Sequence, residues 1–499
     1  MREMRQCKRL LAAVLIVVLY AAFGITVCAT EAPASEAGQP GEAGQPAQDG
    51  EDKPEELTEE EKLKQELDAV YAMPVESNEA EGWPKGPGTY GEAAIVMDVE
   101  TGAVLYEKNI DAQFYPASIT KILTSLVALE YGQFADPVVF THDCVAFLEP
   151  GDSSIGMKEG NQITLEQALY ATLLASANEA AYAVADNVGR NAGFDYDWFV
   201  EQMNVRCREL GGVNSNFTNT SGLPDPNHYT CARDMALIGR EMFKHPEFFQ
   251  IAQTYQYTIP ASETTEEHIF QQHHKMLVEG DPNYYEYAIG GKTGYTSDAL
   301  STLVTMADNG SMQLVCVVLK THGVNIYPDT KNLLEYAFTN FGKASVAENE
   351  SSEDVAEVLN APDADTRIIL PNGVDFGDLE REIIPDSESV GEGTIEYRYG
   401  GNLLGSARVA LSQSYMDMLS ASPEEEEIPP QTEDSKAEGE ADSRDEKCLS
   451  GVLDFLQEKS FTEKCILGGA GALLVILMIV LTAVVSVRRK RKRKKRKTS

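Results

Sequence analysis

The chain reads as an α+β protein: one antiparallel sheet carrying a helical cluster, then a small β region and one membrane-spanning helix. Three observations predict this. Strand-like runs lie near residues 93–106 and 288–320, with a mostly helical stretch between them. Strands gathered at both ends of a segment, with helices between, are the pattern of helices segregated on an antiparallel sheet. The turn sequences Glu100-Thr101-Gly102 and Asp308-Asn309-Gly310-Ser311 join neighbouring runs as hairpins. Finally, Ile466 to Val487 is 22 residues without a charge, long enough to cross a hydrocarbon core of ~30 Å.

The elements follow in order. Residues 1–30 open with Arg2, Arg5, Lys8 and Arg9, continue with the apolar stretch Leu10 to Phe23, and end with Val27-Cys28-Ala29. That is the layout of a secretory signal peptide. An uncleaved anchor is the alternative; a lipoprotein through Cys28 fits less well, because Val27 is larger than such sites prefer. Residues 31–88 are rich in Glu, Ala, Gly, Pro and Gln, with a short Gly-Gln-Pro repeat at 38–46. Such a composition buries too little apolar surface to offset ordering entropy, so a disordered acidic linker is expected, with one short helix in Thr58 to Ala72. The folded body is placed at 89–343. Ala93–Asp98 and Ala103–Tyr106 are its first two strands, and Leu165–Leu174 and Trp198–Leu210 are helices. Leu300–Ala307 and Met312–Leu319 are strands, and Lys331–Phe341 is a closing helix. A body cut at Glu92 and Ser414 is expected to be soluble.

Residues 344–415 are read as a small β domain, with strands at Arg367–Leu370, Thr394–Tyr399 and Leu403–Leu411. An acidic linker at 416–464 includes Glu424 to Glu427 in a row. The span at 465–487 runs straight into a basic tail at 488–499, whose Arg488 to Lys497 holds ten basic residues. Basic residues beside a span face the cytoplasm, which puts the folded body outside. The chain carries a formal net charge of −38 with ten of its 41 Lys and Arg residues in that tail, so the remainder carries −38 − 10 = −48 and no nucleic-acid surface is expected.

The chemistry centres on Phe114-Tyr115-Pro116-Ala117-Ser118-Ile119-Thr120-Lys121, followed by an apolar-faced helix to Glu130. Pro116 suits a position just before a helix. Ser118 and Lys121 are three apart and share one helical face. Ser118 sits where free N–H groups and the macrodipole favour developing negative charge. A hydroxyl nucleophile needs a base in hydrogen-bond reach, and Lys121 is one turn away. Alone, Ser-x-x-Lys is equally a helix cap beside a solvated charge. Two further patterns, each present once, change the reading: Ser176-Ala177-Asn178 after the apolar run 168–175, and Lys292-Thr293-Gly294 after Ile289-Gly290-Gly291.

Ser-x-x-Lys, Ser-x-Asn and Lys-Thr-Gly in this order make the chain resemble a D-alanyl-D-alanine carboxypeptidase, a low-molecular-mass penicillin-binding protein of the β-lactamase-like serine peptidases. The resemblance is strong over residues 92–342 and weak over the next seventy or so. Asn219-Thr220-Ser221-Gly222-Leu223-Pro224-Asp225 and Asn227 to Ala236 look like the family's segment between its second and third motifs. It implies a transpeptidase-like fold, a peptidoglycan stem peptide as substrate and β-lactams as inhibitors. The role it implies is removal of a terminal D-alanine through an acyl-enzyme on Ser118. It gives Lys292 and Thr293 the substrate's terminal carboxylate, with Gly294 and Tyr295 beside them. Ser176 would relay a proton to the leaving amine and Asn178 would orient Lys121 and the substrate amide. The backbone N–H groups of Ser118 and Tyr295 would form the oxyanion hole. Lys121 acts as a base only when neutral. Bringing it from about 10.4 to about 7.5 takes roughly 4 kcal/mol, which burial and a nearby cation, Lys292, would supply.

Some members add an arginine after the next strand; Thr321 to Asn325 holds none. No Glu-x-x-Leu-Asn loop for fast deacylation lies between Ser176 and Lys292, which argues against the alternative of a β-lactamase. The intact motifs argue against a non-catalytic penicillin sensor. There is no Cys-x-x-Cys and no His-Glu-x-x-His, so neither a metal nor a cofactor is expected, and nothing in the cysteine spacing forces a disulfide. His273-His274 is expected at the surface.

Overall fold

The computed structural model describes residues 57–361 and 365–421. The signal peptide, the first part of the N-terminal linker, the C-terminal acidic linker beyond residue 421, the span and the basic tail lie outside them. Among the described residues no helix is long and apolar enough to cross a membrane.

The central sheet has five antiparallel strands: β1 (Ala93–Asp98), β2 (Val104–Lys108), β3 (Ala288–Thr296), β4 (Leu300–Asp308) and β5 (Gln313–Thr321), in the order β2-β1-β5-β4-β3. The expected turns are in place, with Gly102 and Gly310 in the left-handed region. β1 is buried along its whole length, because both faces of the sheet are covered. Alternate residues point to opposite faces. Ile95 and Met97 enter a core with the helical cluster, while Ala94 and Val96 enter a second core on the other side. A strand covered on both faces reads as a continuous apolar run rather than an alternating one.

After α1 (Glu59–Tyr71), the helical cluster comprises α2 (Thr120–Tyr131), α3 (Leu165–Leu173), α4 (Asn178–Asn191), α5 (Tyr196–Glu209), α6 (Ala232–Glu241) and α7 (Pro246–Ala252). α2 packs against α3, α4 and α5, and nine of its twelve residues are buried. It is therefore a core helix that carries Lys121 inside. The second face is covered by α8 (Ile326–Asn340), which starts five residues before the expected closing helix. α9 (Gln413–Ala421) ends the described chain.

The segment expected as a separate small β domain forms strands, but it is continuous with the body. β6 (Phe341–Ser345) straddles the expected boundary at 343 and pairs with β8 (Arg367–Pro371). β7 (Val355–Val358), β9 (Glu380–Pro385), β10 (Glu392–Tyr399) and β11 (Asn402–Leu411) form a four-stranded sheet in the order β7-β11-β10-β9. Ile368, Ile395, Tyr397 and Leu404 share one buried cluster with Val96 and Leu105 of the central sheet. A boundary placed by change of composition missed this shared core.

The linker expected to be disordered through Gly88 is also corrected. The helix expected inside it is present as α1, closed by a capping box between Thr58 and Glu61. Beyond it, Val75 and Trp83 are buried, and Trp83 Nε1 donates to Leu105 O at 3.1 Å. Lys108 Nζ donates to Val70 O and Thr89 O, both at 2.8 Å, and Asp329 Oδ2 accepts the backbone N–H groups of Tyr90 and Gly91. Averaged composition hid these few anchors. The body therefore begins well before Glu92. Trp83→Ala should lower stability by roughly 3 kcal/mol, read as a lower urea midpoint with an unchanged slope; an unchanged midpoint would return this segment to the status of a linker.

Candidate active site

Three stretches distant in sequence converge on Ser118. It is half-buried in a single 3-10 turn, Ala117–Ile119, that runs into α2. Ala117 has φ 51°, a conformation costly for a residue with a Cβ. The turn is held from two sides. Thr302 Oγ1 on β4 donates to Pro116 O at 2.8 Å. On the other side, Thr218 N donates to His228 Nδ1 at 3.1 Å, which leaves the ring hydrogen on Nε2. That nitrogen is 2.9 Å from Thr120 Oγ1, and Thr120 Oγ1 donates to Ala117 O at 2.9 Å. Burial pushes His228 down to about 4, so the ring is neutral near pH 7 and serves this chain of bonds.

Two glycines let backbone pass against the turn. A Cβ on Gly222, whose φ is +85°, would sit 1.8 Å from Ala117 O. A Cβ on Gly294 would sit 2.9 Å from Ser118 N and 2.3 Å from Thr302 Oγ1. β3, the edge strand bearing Lys292, Thr293, Gly294 and Tyr295, therefore lies beside the nucleophile's own N–H.

Lys121 is fully buried. Its Nζ is 3.0 Å from Ser118 Oγ, 2.8 Å from Asn178 Oδ1 and 2.6 Å from Ser221 O. Two of these partners are carbonyl oxygens, which only accept. A neutral amine satisfies all three: its two N–H bonds go to Asn178 and Ser221, and its lone pair faces the Ser118 hydroxyl. Burial holds Lys121 well below its ordinary value, with the Lys292 ammonium the next cause and Glu179 and Asp152 opposing it. Lys292 is itself 2 % exposed, donates to Thr293 O at 2.9 Å and is pushed down to about 7 by burial.

Ser176 and Asn178 come from the turn into α4. Ser176 has φ 58°, and Asn178 N donates to Ser153 O at 2.8 Å. Next to it, buried Glu179 accepts through Oε1 from Ser154 Oγ, Ile155 N and Gly156 N. That carboxylate fixes the loop forming one wall of the cleft. Ser118, Ser176, Thr293, Gly294 and Tyr295 line one cavity of about 480 Å³; Lys121 and Lys292 are buried behind it, and Asn178 reaches Lys121. All eight residues singled out in the sequence thus gather here.

Sequence reasoning missed the supports. Ser221 supplies its carbonyl to Lys121, and Asn219 Oδ1 accepts from the N–H groups of Ser221 and Gly222. Both lie in the segment quoted for the family resemblance, where Gly222 before Leu-Pro was the available signal. His274 was expected at the surface; it is 1 % exposed, with Nε2 3.0 Å from Thr305 Oγ1. Gly291 makes the room, since a Cβ there would meet His274 Nε2 at 2.9 Å. His273 is exposed at the cleft. Among the described residues Cys144, Cys207, Cys231 and Cys316 are free and buried.

The sequence profile of the D-alanyl-D-alanine carboxypeptidases matches residues 83–323. The chain is 27% identical over 348 residues to D-alanyl-D-alanine carboxypeptidase DacF of Bacillus subtilis, covering 64% of this chain and 85% of that one. It is 30% identical over 311 residues to D-alanyl-D-alanine carboxypeptidase DacA of Escherichia coli, covering 58% and 73%. In fold it is similar to penicillin binding protein 5 from Haemophilus influenzae, with a TM-score of 0.54 at 24% identity over 66% of this chain and 98% of that one.

Gly222→Ala should displace the Ala117–Ser118 backbone or leave a strained φ, and cut the rate at which fluorescent penicillin labels Ser118 by at least about tenfold while the protein stays folded by circular dichroism. Labelling at the parent rate would show that this close approach does not position the nucleophile.

Proposed function

The chain belongs to the D-alanyl-D-alanine carboxypeptidase family, and from that premise we propose how its cleft removes the terminal D-alanine of a peptidoglycan stem pentapeptide. The observation that carries the reading is the buried Lys121 amine, 3.0 Å from Ser118 Oγ and with no carboxylate paired to it. Ser118 Oγ attacks the carbonyl between the two terminal D-Ala residues while Lys121 takes its proton. The N–H groups of Ser118 and Tyr295 receive the developing oxyanion. Lys292 and Thr293 grip the terminal carboxylate, and Asn178 holds Lys121 and the substrate amide. The tetrahedral intermediate collapses, D-Ala leaves, and its amine takes a proton through Ser176 or Lys121. Water then releases the tetrapeptide from Ser118.

The same attack opens a β-lactam ring, which is why penicillin inhibits. Among the described residues that line the cleft none bears a carboxylate; Glu179 is not among them and binds the loop at 154–156 through Oε1. That supports slow release of a penicilloyl group rather than β-lactamase turnover. The substrate class and the sequence at both ends support an exported body. In this reading residues 1–30 direct export, 465–487 anchor the chain with a single span, and 488–499 stay in the cytoplasm.

Mass spectrometry after penicillin should place the adduct on the peptide containing Ser118, and the adduct should outlast many turnover times of a β-lactamase. Ser118→Ala should show neither adduct nor D-Ala release. An adduct elsewhere, or rapid multiple-turnover hydrolysis, would overturn the assignment.

The pH profile of kcat/KM should be bell-shaped. Its acid limb rises as Lys121 loses its proton, so it lies well below the usual lysine range. Its alkaline limb falls as Lys292 loses its proton, through about 7. Lys292→Gln removes the charge that helps hold Lys121 down, so its acid limb should move to higher pH while the alkaline fall disappears. A profile unchanged by Lys292→Gln would separate the two lysines.

A further inference from the structure

Lys275 stands at one end of the same cleft with no role in the steps above. It is exposed and shares the cavity with Ser118 and Thr293. It is the one lysine or arginine among the described residues lining that cavity. Its Nζ makes no hydrogen bond and no ion pair among the described residues. It lies instead 5.9 Å over the ring of Tyr327, a cation–π contact that orients an ammonium without satisfying its three donors.

The end of the cleft it occupies can be named. Along β3, Gly291 and Lys292 precede Thr293, and Tyr295 N comes after. In the reading above, the reacting carbonyl sits between Ser118 N and Tyr295 N, so the leaving residue lies toward Thr293 and Lys292. His274 packs against Gly291 at that same end, bonded to Thr305, which is Gly291's partner across the sheet. The residues on either side of His274 therefore open where the leaving D-Ala must lie. His273 and Lys275, on either side of His274, both line the cavity that holds Ser118 and Thr293. Both Lys121 and Lys292 are buried, and Lys292 already donates to Thr293 O. A carboxylate gripped by Lys292 and Thr293 at this end meets one further ammonium, that of Lys275, whose donors are all free.

We propose that Lys275, presented by Tyr327, recognises the C-terminal carboxylate of the leaving residue and makes the enzyme selective for peptides with a free carboxyl end. This rests on the reaction reading above and extends it to the choice of substrate.

The test uses the full-length protein with two substrates: an N-acylated tripeptide ending in D-Ala-D-Ala, and the same peptide with its C-terminal carboxylate converted to an amide. For the free acid, Lys275→Gln should lower kcat/KM roughly tenfold, mainly through KM, the expected loss of one charge-assisted hydrogen bond. For the amide the ratio of kcat/KM between parent and variant should stay near one, and Lys275→Arg should recover most of the loss on the acid. The melting temperature of each variant checks its fold. Equal losses on both substrates, or no loss on the acid, would overturn the role of Lys275. Failure of the parent enzyme to release D-Ala from the acid would instead overturn the underlying reaction.

Discussion

An amine buried with no carboxylate paired to it is the constraint on which the rest of the site depends. Burying an ammonium costs several kcal/mol unless it is paired, so burial holds Lys121 well below its ordinary value and favours its neutral form. Neutral, it needs two acceptors and one donor, and three separate chain segments supply them: Asn178, Ser221 and Ser118. A nearby acid in direct contact would undo this by restoring the charge. Buried Glu179 is bound instead through Oε1 to the loop at 154–156. Lys292 works in the opposite direction, lowering Lys121, and its own burial pushes it down to about 7.

Holding three segments that close requires backbone to approach backbone. Gly222 passes Ala117 O and Gly294 passes Ser118 N where no side chain would fit. The two non-glycine residues with left-handed backbone beside the chemistry, Ala117 and Ser176, each cost on the order of 1 kcal/mol or more. Such conformations persist only where the surroundings over-determine them. At Ala117 the bonds from His228 through Thr120 to Ala117 O, and from Thr302 to Pro116 O, do so.

Those bonds stay in register because the sheet behind them is covered on both faces. The helical cluster fills one core, while α8 and the C-terminal strands fill the other. Trp83 and the bonds from Lys108 and Asp329 tie residues 70–91 to that second side. The C-terminal strands and the N-terminal strap are thus part of the support of the catalytic sheet, although neither touches the cleft.

The sequence by itself determined the parts whose signals are local. Hairpin turns, the apolar face of α2 and the run 168–175 before Ser176 are written within a few residues of where they act. Ser118 and Lys121 share a face because helical geometry fixes their spacing, and that relation held. The three motifs were legible as a set, and their seven singled-out residues meet in one place with Tyr295. What only the tertiary structure decided involves partners far apart in the chain. The carbonyl of Ser221 is chemically the same as every other peptide carbonyl, so nothing in its sequence marks it as a ligand of Lys121. His274 looked like a surface residue until Gly291, seventeen positions later, made room for it. Trp83 sat in a segment whose average composition predicts disorder, because one indole carries little weight in a mean yet buries a large area when a pocket exists. Composition and spacing report what a residue is and what lies beside it along the chain. Proton state, shared cores and close approach depend on what folding brings next to it.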